Sequence, residues 1–200
     1  MSFNGHGRVV SPASRASMHL PEWLAGSLEA NKFFPAADIG LTDPAAPHDV
    51  PGRGDPLRDG RIASAGFGEA LILDGTTAPD GSPWRGHPVR PDTGLPVTWS
   101  LPTPHLTRRF AYFVTRRDWN PDLPLTREQF EPEPFHVVQS MLDPYWDHVP
   151  ALTPADPTRH TVPLPDRTGR HVLLAVWEIA DGAHAFYQVV DLDFGGVVAA

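Results

Sequence analysis

The ten histidines of this chain are the residues with the clearest capacity for chemistry. The sequence contains no cysteine, which excludes disulfides, thiolate nucleophiles and cysteine-based zinc sites. Imidazole binds copper, zinc, iron and nickel, and a tetragonal set of nitrogen ligands favours Cu(II). No two histidines are four residues apart, the spacing that places ligands on one face of a helix. A metal site in this chain therefore has to combine separate segments.

Two histidines have distinctive neighbours. His6 lies in the stretch NGHGRVVSPASR, residues 4–15, and is either a tail residue without a role or the first residue of the working protein. His105 lies in the segment Leu101–Thr107, directly after a predicted strand, and the end of a strand is a common place for a ligand. A surface or hydrogen-bonded histidine is the alternative for His105. The same alternative is our prediction for His19, His48, His87, His136, His148, His160 and His171.

Motifs and charge exclude several functional classes. The sequence has no nucleophile elbow, zinc-protease motif, phosphate-binding P-loop or dinucleotide fingerprint. A net charge of -8 without a basic stripe argues against nucleic-acid binding, and no apolar run reaches membrane-spanning length. We expect a monomer with neither nucleic acid nor membrane among its partners.

Short strands have to position these residues. Alternation in Phe186–Phe194 predicts a strand with one buried face, whereas the apolar run His171–Ile179 predicts a central strand covered on both faces. Gly182 predicts a turn that joins the two strands into a hairpin. Four further strands are predicted, at Ala70–Leu73, Val97–Leu101, Phe110–Thr115 and His160–Leu164. Strands at this spacing favour a sandwich.

The region from Ser14 to Arg61 has a different character. Pro21–Ala30 is predicted to hold one or two short helices. Asp43–Pro56 is rich in proline and predicts a long irregular loop, a type of loop that is usually functional or disordered. Elsewhere in the chain, Glu131 and Glu133 lie in an acidic run and are predicted to belong to a solvated loop, with paired acid/base catalysis as the alternative.

The chain resembles a known family from His6 onward. HGRVVSPASR, residues 6–15, resembles the mature N-terminus of bacterial lytic polysaccharide monooxygenases of the chitin-binding protein type, in which a leader is cut immediately before the histidine. Six further segments match in the family's order: 59–66, 103–105, 113–121, 124–127, 167–181 and 185–188.

The resemblance implies an all-β fold. The implied fold is an immunoglobulin- or fibronectin III-like β-sandwich with a large loop and short-helix insertion after its first strand, here expected at about residues 14–61. Residues 1–5 would be an N-terminal extension or leader remnant, 6–196 a single domain and 197–200 a tail.

The resemblance also implies one copper ion in a histidine brace. His6 would supply its ring and a free α-amino nitrogen, and His105 the third nitrogen. Phe186 matches the aromatic residue beside an axial position, and Asp181 and Trp177 match nearby residues. A primary amine with a solution pKa of about 7.7–8.0 readily becomes a neutral ligand.

The sequence departs from the family pattern at several places. With residues 1–5 attached, the nitrogen of His6 is an amide, which is a poor ligand unless deprotonated, so a complete brace requires cleavage after Gly5. Thr103 replaces a small alanine, and His184 stands where chitin-binding members often have a small polar residue. The segment 31–40 offers no glutamate near the copper, with Asp38 as a possible substitute. Trp23 could stack on a sugar or belong to the core.

Three functions follow as hypotheses. The first is copper-dependent oxidation of a C–H bond in a β-1,4-linked polysaccharide, chitin or cellulose, with an external electron donor and O2 or H2O2. The second is a leaderless cytoplasmic relative whose copper site acts on a non-polysaccharide substrate. The third is a non-catalytic carbohydrate-binding module. Removal of a leader before His6 would imply secretion and an insoluble polysaccharide surface as partner, whereas a native start at Met1 would imply the cytoplasm.

Overall fold

The fold is a β-sandwich of a three-stranded and a six-stranded sheet. A computed structural model describes residues 5–31, 59–139, 142–182 and 184–195. The predicted sandwich is confirmed. Residues 1–4, most of the predicted insertion with Asp38 and His48, and the 197–200 tail lie outside the described residues.

The strands follow one another along the chain in short segments. They are β1 (Arg8–Ser11), β2 (Ala30–Asn31), β3 (His87–Pro88), β4 (Gly94–Ser100), β5 (Thr107–Val114), β6 (His136–Val138), β7 (Thr158–Pro163), β8 (Arg170–Ile179) and β9 (His184–Asp193). The small sheet has the order β1-β4-β7, and the large one β2-β9-β8-β5-β6, with β3 parallel to β9. The predicted strands around residues 97–101, 110–115, 160–164, 171–179 and 186–194 are confirmed within a few residues.

Short helices connect the strands, and the first of them packs on β9 of the large sheet. They are α1 (Arg15–His19), α2 (Glu22–Ala25) and α3 (Val149–Leu152), with 3-10 helices at Gly68–Asp74, Arg127–Gln129 and Tyr145–Asp147. The helix at 22–25 confirms the prediction for residues 21–30. In the described part of the chain, no helix has the length and apolar character needed to cross a membrane.

The predicted strand at Ala70–Leu73 is wrong, because this segment belongs to the 3-10 helix Gly68–Asp74. Ala70 and Leu73 are fully buried, whereas Leu71 and Ile72 between them are 37% and 51% exposed. Burial of residues three apart matches the three-residue turn of a 3-10 helix, and a strand would bury every second residue. Four consecutive apolar residues do not distinguish the two patterns.

Two apolar cores lie on opposite faces of the large sheet. One fills the space between the sheets and contains Trp99, Phe110, Trp177 and Phe186. The other lies under the helices and contains Leu73, Trp84, Phe113 and Tyr187 in a larger cluster. β8 is therefore covered on both faces, as predicted, and its antiparallel pairing with β9 confirms the hairpin.

The prediction of one buried face for Phe186–Phe194 is wrong. Tyr187, Val189 and Asp191, on the second face, are also buried, because α1 and the helical segment after residue 61 pack over it. Asp191 accepts two hydrogen bonds from buried Arg15, at 2.7 and 2.8 Å, so a charged residue in this strand is compensated by an ion pair. The pattern of one strand does not reveal that its polar face has a buried partner.

Candidate metal centre

His6 is held between α2 and the sandwich by close backbone packing. Its peptide N–H donates to the carbonyl oxygen of Gly26 at 2.8 Å, and that of Gly7 to the same oxygen at 3.0 Å. A Cβ on Gly7 would lie 2.7 Å from Leu101 Cδ2 and 2.8 Å from Trp177 Cε3. Only glycine fits at residue 7 without displacing its neighbours, which explains the residue that follows the histidine.

His105 reaches the same place from the loop between β4 and β5. Its ring centroid lies 5.2 Å from that of His6. His105 Nδ1 donates to Asp181 Oδ2 at 3.4 Å, from the turn between β8 and β9. The structure thus brings together three residues that are distant in the sequence, His6, His105 and Asp181.

Two aromatic residues form the inner wall of the site. Phe186 is fully buried, and its ring centroid lies 5.1 Å from His6 and 5.9 Å from His105. Trp177 stacks on Phe186 at 5.0 Å and donates its indole N–H to Thr107 Oγ1 at 3.0 Å. The two histidines consequently contact a buried aromatic surface that belongs to the core between the sheets.

The environment shifts the pKa values of the two imidazoles in opposite directions. Burial lowers the pKa of His6, which His105 also lowers and Glu29 partly restores. The hydrogen bond that His105 donates to Asp181 raises the pKa of His105 despite its burial. Burial tends to raise the pKa of Asp181, but the hydrogen bond and charge of His105 outweigh this and leave it lowered.

Glu29 is a site residue that sequence reasoning missed. Its charge acts on both His6 and His105, and its Oε1 lies 3.6 Å from His184 Nδ1. Glu29 directly precedes β2, which pairs with the start of β9 and so carries it to the site. The resemblance pointed to residues 31–40 for an acidic residue near the copper, whereas Glu29 lies two positions before that segment.

The remaining predicted residues lie around this centre or outside the described chain. Thr103 is half-buried in the loop that carries His105. His184 is exposed at the start of β9. Trp23 is 36% exposed on α2, which does not fit a plain core role. Asp38 lies outside the described residues.

Several of the other histidines have the hydrogen-bonded roles predicted for them. His87 contacts the carbonyl oxygen of Ala13 at 2.9 Å, His160 the hydroxyl of Tyr112 at 2.6 Å and His171 the hydroxyl of Thr115 at 2.9 Å.

The donor atoms fit a metal ion with few ligands. His6 Nδ1 is buried and has no hydrogen-bond partner, an arrangement that costs free energy unless something binds it. The contact of His105 Nδ1 with Asp181 leaves its Nε2 as the other ring donor. In the described ranges, no group of three or more histidine, cysteine, aspartate or glutamate side chains could hold a metal. The third ligand that the resemblance implies is the backbone nitrogen of His6, which belongs to the same residue as the buried Nδ1.

Comparisons with known proteins agree with this geometry. Residues 6–192 match the family model described as lytic polysaccharide mono-oxygenase, cellulose-degrading. The chain is 33% identical over 197 residues to GlcNAc-binding protein A of Vibrio vulnificus, covering 98% of this chain but 37% of that protein.

Two solved structures have the same fold. A chitin-binding domain from Burkholderia pseudomallei is 43% identical with a TM-score of 0.84, covering 94% of this chain and 98% of that chain. A Bacillus amyloliquefaciens CBM33 protein in complex with Cu(I) is 29% identical with a TM-score of 0.66, covering 94% and 99%. Residue geometry, family model and fold agree, and this chain belongs to the lytic polysaccharide monooxygenase family.

Proposed function

We propose that the protein, with its chain beginning at His6, is a copper-dependent monooxygenase or peroxygenase. It oxidises a C–H bond of a β-1,4-linked polysaccharide, chitin or cellulose, with an external electron donor and O2 or H2O2. The observation that carries this proposal is the buried Nδ1 of His6, which has no hydrogen-bond partner and lies beside His105. Membership of the family supports a copper enzyme that acts on polysaccharide or a protein that binds chitin.

Three nitrogen atoms would hold the copper. They are Nδ1 of His6, the α-amino nitrogen of His6 and Nε2 of His105. Imidazole nitrogens suit copper, and a tetragonal set of nitrogen ligands favours Cu(II). Bound copper would supply a one-electron redox centre that activates the oxidant beside the substrate C–H bond.

Asp181 fixes the tautomer of His105. Because the carboxylate accepts a hydrogen bond at Nδ1, the proton stays on that nitrogen and the lone pair of Nε2 remains available. The lowered pKa of Asp181 keeps the carboxylate ionised and able to accept this hydrogen bond.

Cleavage before His6 would change the chemistry of its nitrogen. A peptide nitrogen has its lone pair delocalised into the carbonyl group, whereas a primary amine carries a free lone pair and two hydrogens. One of those hydrogens would continue to donate to the carbonyl oxygen of Gly26, now 2.8 Å away. Gly26 would thus orient the amine, and processing before His6 implies a secreted protein.

The other residues shape the access of water and substrate. Phe186 and Trp177 exclude water from the inner side of the two imidazoles. Glu29 places a negative charge near both rings, which favours a bound cation. The open side of the centre faces solvent through His105 and Asp181, whose side chains are 29% and 31% exposed.

The substrate class rests on relatives. The names of the V. vulnificus protein and the B. pseudomallei domain specify GlcNAc and chitin, whereas the family description specifies cellulose. These polymers share β-1,4-linked pyranose rings, and we propose an insoluble polymer of this type as the partner. The chain spans about 37% of the V. vulnificus relative, so the activities of that whole protein are not carried over.

A non-catalytic binding module is the second candidate. The names of these two relatives mention binding and no oxidation, which favours it. Such a module would retain the polymer-binding surface and make no use of the nitrogen atoms of His6 and His105.

Product analysis separates the two candidates. The chain starting at His6, loaded with copper, is incubated with chitin or cellulose, a reductant and O2 or H2O2. We expect oxidised oligosaccharides by mass spectrometry, and their loss in the His105→Ala variant. Binding to the polymer without any oxidised product, under conditions where copper is bound, would contradict the proposed enzyme and favour the module.

A further inference from the structure

The connection between β6 and β7 lies at the same end of the sandwich as the metal centre. β5 begins at Thr107, just after His105, and its antiparallel partner β6 runs toward this end and stops at Val138, opposite Phe110. β4 ends at Ser100, and its partner β7 begins opposite it, with Trp99 paired to Thr158. The chain that joins β6 to β7 therefore flanks the loop that carries His105.

This connection is anchored to the body of the protein. Asp156 Oδ1 accepts a hydrogen bond from the peptide N–H of Leu101 at 2.7 Å. Leu152 of α3 is fully buried, and Gln139 donates to the carbonyl oxygen of Ala151 at 3.2 Å. The described residues 142–157 thus form a fixed edge beside the metal centre.

An indole ring is exposed on this edge. Trp146 is 55% exposed, more than any other large hydrophobic side chain in the described ranges. It lies in the 3-10 helix Tyr145–Asp147 with its ring centroid 5.2 Å from that of Tyr145, in an edge-on arrangement. Leu142 and Val149 beside it in the sequence are 45% and 43% exposed. Exposed apolar groups concentrated in one segment indicate a binding surface.

The charges around Trp146 restrict the ligand. Asp143 and Asp147 flank the ring in the sequence and are exposed, and the whole chain has a net charge of -8. These carboxylates would repel an acidic polymer, but they accept hydrogen bonds from neutral hydroxyl groups. A neutral pyranose ring presents a face of C–H groups to an aromatic ring and hydroxyl groups at its edge.

We infer that Trp146 is a sugar-binding platform that extends the polysaccharide-binding face beyond the metal centre. Its ligand is a pyranose ring of a neutral β-linked chain, at a distance from the ring that is oxidised. This inference rests on the proposed function for the choice of polymer. α2, which carries Trp23, is joined to His6 through the carbonyl oxygen of its C-cap Gly26, whereas Trp146 follows β6 and precedes β7, the strands at the far edges of the two sheets from β1. A polysaccharide bound to both tryptophans would pass across the metal centre.

Binding to polymer without turnover tests this inference. The copper-loaded chain starting at His6 is depleted from solution by insoluble chitin and cellulose, with no reductant. We expect Trp146→Ala to weaken binding by about tenfold and Trp146→Phe to retain most of it, since a flat ring remains. The matched control is Leu123→Ala, because Leu123 is 53% exposed and follows β5 at the opposite end of the sandwich.

A second measurement uses the unaltered protein. Oxidative labelling of tryptophan, read by mass spectrometry, is compared with and without a soluble chitin or cellulose hexasaccharide. We expect protection of Trp146 by the oligosaccharide. If the oligosaccharide does not protect Trp146, and Trp146→Ala and Leu123→Ala bind the polymer equally well, the inference that Trp146 binds a sugar ring is overturned.

The outcomes separate this platform from the proposed enzyme. Weaker polymer binding by Trp146→Ala supports the platform even if no oxidised product is ever released, which would contradict only the enzyme. No binding of the unaltered protein to either polymer overturns the platform, whatever product analysis finds. Sedimentation that shows loss of a dimer in Trp146→Ala, with unchanged polymer binding, would assign this surface to a second copy and overturn it as well.

Discussion

Gly7 shows how a residue without a side chain determines the position of a ligand. The backbone of residues 6 and 7 passes so close to Leu101 and Trp177 that a methyl group at residue 7 has no space. The same packing brings the nitrogen of His6 to the carbonyl oxygen of Gly26. Two contacts therefore fix the position of the His6 imidazole. They are the close packing of the backbone at residues 6 and 7 and the contact of the ring with Phe186.

Replacement of Gly7 by alanine should therefore damage both stability and metal binding. The added methyl group would overpack the core, which costs about 1–3 kcal/mol, and would displace His6. We expect a lower free energy of unfolding in denaturant titrations and weaker Cu(II) binding by calorimetry. Gly68→Ala is the control, because an added Cβ there meets nothing within 4 Å. Equal behaviour of the two variants would show that close packing at Gly7 does not position the site.

Asp181 should control the protonation and the orientation of His105. In the metal-free protein, Asp181→Asn removes the charge and the ionic hydrogen bond that raise the pKa of His105, and burial then lowers that pKa. We expect a downward shift of the His105 titration by NMR and a loss of copper affinity of about 10–100-fold. Asp166→Asn is the control, since its carboxylate pairs with Arg117 on the exposed surface. An unchanged His105 titration would contradict the assigned role.

At the scale of the elements, a buried hydrogen-bonded row joins the two sheets. Trp99 of β4 donates to the hydroxyl of Tyr112 of β5 at 3.1 Å, and this hydroxyl is 2.6 Å from His160 Nδ1 of β7. Because the hydroxyl accepts from the indole, its own proton is free to donate to a neutral imidazole. Burial, with a smaller effect of His136, lowers the pKa of His160 to about 4.

This row predicts a loss of stability in mild acid. The unfolded chain binds a proton at the ordinary histidine pKa of about 6.5, whereas folded His160 resists protonation until about pH 4. The contribution of neutral His160 to the free energy of unfolding is therefore fully present above pH 6.5. It is lost as the pH falls from 6.5 to 4, by at most roughly 3 kcal/mol. Denaturant titrations across this range should show a shallower pH dependence in His160→Gln than in His148→Gln. An identical pH dependence in both variants would contradict it.

The elements were predictable to different degrees. The β8–β9 hairpin could be predicted because its apolar strands and the glycine turn between them are local features. The site could be predicted only in part, because His6, His105 and Asp181 meet through pairings between distant segments. The resemblance named all three. Glu29 was missed because its place depends on the pairing of β2 with β9, and Ala70–Leu73 because a four-residue apolar run has no diagnostic period.

At the scale of the whole molecule, the segments that form the candidate metal centre and its surroundings lie at one end of the sandwich. The chain start before β1, the β4–β5 loop, the β8–β9 turn and the β6–β7 connection all lie there. The two sheets and the buried aromatic core between them hold these segments in place. The acidic character of the chain is compatible with a neutral polymer as its partner.

The central claim is that a free His6 nitrogen, the His6 ring and the His105 ring bind one copper ion. The most direct measurement is Cu(II) titration by calorimetry with electron paramagnetic resonance of two forms, the 200-residue chain and the chain starting at His6. We expect the shorter form to bind one Cu(II) at least about tenfold more tightly, with a tetragonal spectrum coupled to three nitrogens. Equal affinity and identical spectra for both forms, or no binding by the shorter one, would contradict the claim.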